Sequence, residues 1–255
     1  MELDRELIND HIAAHPHRLL FVTLSGAHLY GFPSPDSDYD LRGAQVLAAE
    51  AMLELDPPQE THDHIDKDAR VEIDLVAHDV RKFFLMLLKK NGYVLEQIMS
   101  PIVLHESDGF EELKALAARC VTRFHHFHFG SFAQNQWKMV SGPAHGTVKG
   151  LLYTYRPLLA GIHLMRTGVI ESNLATLNGS FGLSYIDELI GAKTTGAEKQ
   201  SIGDRDMTQH EAEFERLSAL LEQEAERSGL PDNPPREVRA ALNDLLIRLR
   251  LAPCD

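Results

Sequence analysis

The sequence predicts an α+β fold, with a small sheet and flanking helices first and an all-helical part after it. Three observations carry that prediction. Runs with strand character, RLLFVTLS at 18–25, YDLRGAQVL at 39–47 and VEIDLVA at 71–77, all precede Ser107. Beyond Ser107 the apolar residues recur almost entirely at helical spacing. Pro143, Gly146, Gly168, Gly179, Gly229 and Pro231 then cut that second part into pieces of helix length.

The elements follow in order. Residues 2–14 place Leu3, Leu7, Ile8 and Ile12 on one face of a short helix. The strand at 18–25 ends at Gly26, and Gly31, Pro33 and Pro35 mark a loop before the second strand at 39–47. Residues 55–69 are acidic, contain Pro57 and Pro58 and lack apolar periodicity, so they are expected to form an excursion between strands. The third strand, 71–77, alternates: Val71, Ile73 and Leu75 face the core, Glu72 and Asp74 the polar side. A helix from Asp79 to about Lys90 buries Phe83, Phe84, Leu87 and Leu88 and stops at Asn91-Gly92. A helical turn or two over 93–99 and a short strand at 102–104 close the first part. Helices are expected at 108–123, 124–140, 146–167, 184–191, 208–228 and 235–250.

Composition narrows the class. A chain of 255 residues, 44% hydrophobic and 25% charged, can bury a core without staples and is ordinary for a soluble protein. Cys120 and Cys254 have no metal-ligand spacing, which suits a reducing cytoplasm. The first residues do not resemble a signal peptide, and no apolar run approaches the roughly 18 residues of a membrane span. A cytoplasmic protein without membrane attachment is expected. The net charge of −13 opposes bulk attraction to nucleic acid. Yet no Asp or Glu lies between Glu112 and Glu171, a stretch that holds Lys114, Arg119, Arg123, Lys138, Lys149, Arg156 and Arg166. Those cations either face acidic groups of the same protein or form a surface for an anion such as a triphosphate or RNA backbone.

The chemistry concentrates in GAHLYGFPSPDSDYD, Gly26 to Asp40. A strand runs into a Gly turn and an Asp-x-Asp opens the next strand. Side chains alternate along a strand, so Asp38 and Asp40 point to one side. Carboxylates that close repel unless cations intervene. Mg²⁺ suits such a site, because it takes hard oxygen ligands and shares its shell with water and phosphate. If the third strand neighbours the second, Asp74 joins Asp38 and Asp40. Three carboxylates can hold two metals for in-line phosphoryl or nucleotidyl displacement, with Asp74 placed as general base. Gly26 also lets the backbone approach a phosphate.

This pattern resembles the polymerase β nucleotidyltransferase superfamily. YGFPSPDSDYDLRG, together with VEIDLVAHDVRKFFLMLLKKNGYVLEQIMSP, FGSFAQNQWKM and KGLLYTYRPLLAGIHLMRTG, is similar to the predicted nucleotidyltransferases that include RlaP and YcgL-like proteins. The similarity covers roughly residues 18–170. It implies a polymerase β-type sheet, with residues 1–107 as catalytic domain and 108–255 as a helical domain completing the nucleotide cleft. It implies two Mg²⁺ ions, replaceable by Mn²⁺, on Asp38, Asp40 and Asp74. An NTP, ATP by expectation, would donate its NMP and release pyrophosphate. The association of such proteins with RNA ligases points to an RNA end as acceptor. Two positions depart from the family pattern: Ala27 stands where a Ser usually follows the loop Gly, with Ser25 or a backbone N–H as substitute, and Tyr153 stands where a His is common.

The segment 149–166 adds a second group of candidates. Lys149, Tyr153, Arg156 and His163 share one helical face, opposite Leu151, Tyr155, Leu158, Ile162 and Met165. Lys149 and Arg156 suit a triphosphate, and Tyr153 a base or ribose. The nucleotide-binding set is therefore Ser25, Gly26, Ala27, Lys149, Tyr153 and Arg156. Arg42 is expected to pair with Asp36 or a phosphate. Gln134 and Lys138, four apart, share a face. His125, His126 and His128, like His62 and His64, are expected to be core and surface residues rather than metal ligands. Three functions remain open: transfer to an RNA end, transfer to a protein or small molecule, and nucleotide binding without catalysis.

Overall fold

The computed structural model describes residues 3–142, 146–196 and 207–252; Pro143 and Cys254 lie outside them. The helices are α1 (Arg5–Ala13), α2 (Gly26–Tyr30), α3 (Val80–Leu88), α4 (Gly92–Ile98), α5 (Phe110–Ala118), α6 (His126–Val140), α7 (Val148–Thr167), α8 (Leu174–Phe181), α9 (Ser184–Thr195), α10 (Met207–Arg227) and α11 (Arg236–Leu251). The strands are β1 (Arg18–Leu24), β2 (Tyr39–Val46), β3 (Thr61–Asp66), β4 (Ile73–Asp79) and β5 (Val103–Glu106). The chain is α+β: a mixed five-stranded sheet of order β3-β4-β2-β1-β5 with flanking helices, followed mostly by helix. β2 and β4 run parallel, and every other neighbouring pair is antiparallel.

The contacts group the chain into two compact units that interrupt one another in sequence. One comprises Met1–Gly26, Asp38–Cys120 and Asn233–Asp255, and the other Ala27–Ser37 and Val121–Asp232. The grouping differs from a division at residue 107. Both α5 and α11 belong with the sheet, and the loop ahead of β2 belongs with the helices.

In the sheet unit, one face is a core of Ile8, Leu19, Val22, Leu24, Tyr39, Leu41, Ile73, Leu75 and Ala77, with Val71 packed against it. Alternation along β4 explains the division, since Ile73, Leu75 and Ala77 are buried while Asp74 and Val76 are half-buried. Phe21 packs edge-on to Phe83 of α3 at 5.4 Å and stacks on Phe110 of α5 at 4.6 Å. Each ring so enclosed stabilises the fold by about 1.5–3 kcal/mol. α11 is tied to the sheet by charge as well. Arg250 donates to the Asp79 carboxylate at 2.6 Å and to the Leu47 carbonyl at 2.5 Å. Asp79 is fully buried, and it also caps α3 by accepting from the Arg81 N–H at 2.9 Å.

Three local readings need correction. Residues 61–66, expected as an excursion, form the edge strand β3, antiparallel to β4. Its sequence THDHID sets Thr61, Asp63 and Ile65 on one face and His62, His64 and Asp66 on the other, so no apolar alternation announces it, and charges on an edge strand deter pairing with other chains. The α3 helix ends at Leu88 with Lys89 as its C-cap, Lys90 turns the chain with a φ of +63°, and Asn91, expected to stop α3, instead caps α4 by accepting from the Tyr93 N–H. Residues 174–181 form α8, capped by Asn173, where no helix was expected.

In the helical unit, α7 is buried along most of its surface and packs with α6, α8, α9 and α10. Tyr155 of α7 shares a 2.9 Å hydrogen bond with the His210 ring of α10. Tyr185 of α9 donates to Glu213 of α10 at 2.8 Å. Among the clustered histidines, His62, His126 and His128 are half-buried and His64 is exposed. His125 is fully buried, where its ring bonds the Thr122 backbone. No three His, Cys, Asp or Glu among the described residues are grouped to hold a metal. Burial pushes the Cys120 thiol up to about 11, so it stays protonated and unreactive.

Candidate active site

The parallel register of β2 and β4 sets Asp40 directly opposite Asp74, the neighbour relation that the two strands were expected to create. Directly paired residues on adjacent strands project to one side, so two negative groups share a small space. The cation that answers them here is Arg42, two residues beyond Asp40 on the same face. It donates to Asp40 at 2.8 Å and to Asp74 at 2.6 Å, engaging one oxygen of each. Its other N–H groups reach the Leu41 and Asp74 carbonyls and the Tyr93 hydroxyl of α4, at 2.9, 2.5 and 2.8 Å. Burial works against the guanidinium charge, but the surrounding Tyr93, Asp40 and Asp74 outweigh it and hold the pKa above the ordinary arginine value. Burial raises the Tyr93 hydroxyl in turn, partly offset by Arg42. The expected partner of Arg42, Asp36, is thus replaced by the two carboxylates. Period-two spacing from Asp40 is the signal that could have found this arrangement.

Asp38 precedes β2 and is half-buried. The side chains bring Asp40 and Asp74 together around Arg42. They do not gather three carboxylates at one point among the described residues.

The strand–Gly turn belongs to the same construction. Ser25, buried at the end of β1, donates its N–H to the Asp40 carbonyl at 2.8 Å. Gly26 has a φ of +60°, and a Cβ there would stand 1.8 Å from Asp40 Oδ2. The glycine therefore serves twice, by adopting the left-handed conformation and by leaving room for the carboxylate. Gly26→Ala is expected to cost about 2 kcal/mol or more of stability and at least about tenfold in turnover, because Asp40 must move. Thermal melts and steady-state kinetics of the variant measure both. Arg42→Lys is expected to lower turnover about 10–100-fold while the protein stays folded, as for a residue that orients ligands from behind. Unchanged kinetics would leave Arg42 a purely structural ion pair.

Ala27 is buried in the helical unit. There Tyr153 stands edge-on to Tyr30 at 5.7 Å and to Phe32 at 5.8 Å, and Lys149 lies over the Tyr153 ring at 5.5 Å. The Arg156 guanidinium stacks 3.9 Å above the Tyr30 ring and is only 3% exposed, so the polar stripe expected on α7 is covered at Arg156. The turn of Ser34 to Ser37 is held by a lysine that the sequence did not single out. Buried Lys193 of α9 donates to Ser34 Oγ at 2.5 Å, and Ser37 Oγ accepts from the Ser34 N–H at 2.9 Å. The carboxylate-free stretch is largely paired. Lys114 meets Glu111, Arg119 meets Glu237, Arg123 meets Asp232 and Arg166 meets Glu224. For those four cations, internal acidic partners are the reason.

The mixed sheet, the paired carboxylates and the strand–Gly turn agree with the polymerase β-type sheet that the sequence resemblance implied. The chain belongs to the RlaP family, described as the RNA repair pathway DNA polymerase beta family, whose match runs over residues 2–248. That match extends through the C-terminal third, where no motif was recognised. A protein of Methanocaldococcus jannaschii, "Uncharacterized protein MJ0002", is 26% identical over 232 residues, 90% of this chain and 94% of that one. "Uncharacterized protein YcgL" of Bacillus subtilis is 24% identical over 216 residues, 82% of this chain and 79% of that one. A solved nucleotidyltransferase-like protein from Exiguobacterium sibiricum 255-15 matches at 13% identity with a TM-score of 0.33, covering 87% of this chain and 73% of that one. No described helix is long and apolar enough to cross a membrane.

Proposed function

We propose that the protein transfers a nucleoside monophosphate from an NTP, with ATP the expected donor, to the hydroxyl of an RNA end. The observation that carries this reading is the registered pair Asp40 and Asp74 on parallel strands, with Gly26 opened around the Asp40 carboxylate. The donor set fits Mg²⁺ or Mn²⁺. Hard carboxylate oxygens face one side, and the site already draws a cation between them. Asp40 and Asp74 would hold two such ions, with Asp38 assigned as the further ligand by the sequence pattern alone. When bound, they lower the pKa of the attacking hydroxyl and neutralise the triphosphate.

The remaining work falls to the protein. Arg42 and Tyr93 fix the orientation of Asp40 and Asp74. Asp74 is assigned the proton of the acceptor hydroxyl. Gly26 and Ala27 are assigned to the phosphates through backbone N–H groups, and Ser25 through its hydroxyl. Residue type alone assigns Lys149 and Arg156 to the triphosphate and Tyr153 to the base or ribose. Lys149→Ala is expected to raise the NTP KM more than it lowers kcat; an unchanged KM removes Lys149 from the reaction.

Radiolabelled NTP, incubated with Mg²⁺ or Mn²⁺ and pools of RNA, DNA and protein, tests the function. Label on RNA that is lost with Asp38→Ala, Asp40→Ala or a chelator supports it. Label on a protein band would favour the acceptor class that the net charge of −13 attracts, a cationic one. Nucleotide binding without turnover would make the chain a nucleotide-binding protein.

A further inference from the structure

A groove of about 300 Å³ lies within the helical unit between α6 and α10. α6 supplies Phe127, Ser131 and Gln134 to it, and α10 supplies Phe214, Ser218 and Glu222. Phe127 is 62% exposed, the one aromatic ring among the exposed large apolar side chains of the described residues. It ends a column of flat groups. The Arg123 guanidinium lies over Phe124 at 5.1 Å, and Phe124 stacks on Phe127 at 6.1 Å with planes 15° apart. The His126 ring approaches Phe127 at 3.9 Å. On the α10 side, Phe214 is stacked on Trp137 at 5.1 Å with planes 11° apart. At Gly130 an added Cβ would meet only Leu221, at 3.6 Å, so this glycine widens the groove rather than relieving strain.

Flat apolar groups beside a few hydrogen-bonding groups match a nucleobase. Stacking on an exposed ring is worth about 1–3 kcal/mol per base and does not depend on sequence. The polar rim adds selectivity. The Glu222 carboxylate accepts from an exocyclic amine, as on cytosine or adenine, and repels the carbonyl that uracil presents there. Lys138 follows Gln134 by one helical turn and is exposed, in position for the strand's phosphate. We infer that this groove binds an unpaired, amino-bearing base of single-stranded RNA. It thereby gives the proposed transferase a contact with its acceptor away from the carboxylates. This inference rests on the RNA-directed reading of the function.

Trp137 is the one tryptophan of the chain, so its fluorescence reports on Phe214 and the groove. The full-length Asp40→Asn protein is titrated with short oligocytidylate, oligoadenylate and oligouridylate, which separates binding from turnover. Oligocytidylate and oligoadenylate are expected to quench Trp137, and oligouridylate to bind about tenfold more weakly. Phe127→Ala, and separately Gly130→Leu, is expected to weaken binding about tenfold or more with melting unchanged. Equal affinity in both variants, equal binding of oligouridylate, or quenching by free nucleoside as strong as by the strand overturns the assignment. RNA binding at the groove in a protein that transfers no nucleotide would keep this site and remove the transferase. RNA labelling that ignores Phe127→Ala and Gly130→Leu would do the reverse.

Discussion

Asp40→Asn is expected to lower nucleotidyl transfer about 10³-fold, a loss of about 4 kcal/mol of transition-state stabilisation. Asparagine has the shape of aspartate, and its amide oxygen can still accept from the Arg42 guanidinium that now bridges to Asp74. The fold is therefore expected to survive with a change in melting of a few degrees. What goes is the negative charge that a divalent ion requires. The split between rate and stability is the informative part. If the Asp40–Arg42–Asp74 arrangement served only the fold, the variant would melt earlier and turn over as before.

The second large effect is structural. Arg250→Met is expected to destabilise the protein by about 3–5 kcal/mol, because it leaves the Asp79 carboxylate buried without its charge partner. For a domain of this size that corresponds to a melting temperature lower by about 6–20 °C. The same substitution removes the bond to the Leu47 carbonyl and loosens α11 from the sheet. Combining it with Asp79→Leu should recover part of the loss, since a buried ion pair exchanged for apolar groups is often close to neutral. The recovery is expected to be incomplete, because Asp79 also caps α3. Urea denaturation of the two single variants and the double variant gives the coupling directly.

Those two predictions sit at opposite ends of what the sequence made legible. Strands with an apolar alternation, and helices with an apolar stripe, were readable because burial imposes a period on the residues. β4 alternates throughout and β2 over its first half, while β1 is a continuous buried run and α7 carries apolar residues at helical spacing around most of its surface. β3 was not readable, since a histidine- and aspartate-rich edge strand has no apolar face to reveal it. α8 was missed because Asn178 and Gly179 interrupt its short apolar pattern. The membership of α5 and α11 in the sheet unit could not be read locally. It depends on contacts such as Arg250 with Asp79, 171 residues apart.

The site shows the same division. Asp38, Asp40 and Asp74 could be picked out because a polar residue at a period-two position beside a Gly turn is a local signal. The pairing of Asp40 with Asp74 depended on strand order, which the parallel register of β2 and β4 supplies, whereas Asp38 precedes the paired strand. Arg42 was ranked as an ordinary ion-pairing residue, although its spacing from Asp40 placed it on the carboxylate face. Lys193 gave no signal at all, because a lysine in a helix is usually solvated and only the folded chain encloses this one against Ser34.

Asp38, Asp40 and Asp74 are proposed to hold a pair of divalent ions. Crystals grown with Mn²⁺ and a non-hydrolysable ATP analogue test it most directly, through the anomalous scattering of the metal. Two peaks within about 2.0–2.3 Å of carboxylate oxygens of Asp40 and Asp74, at least one shared with Asp38 and the triphosphate, are the predicted result. Nucleotide bound elsewhere, with Arg42 still bridging Asp40 and Asp74 and no metal beside them, would contradict it.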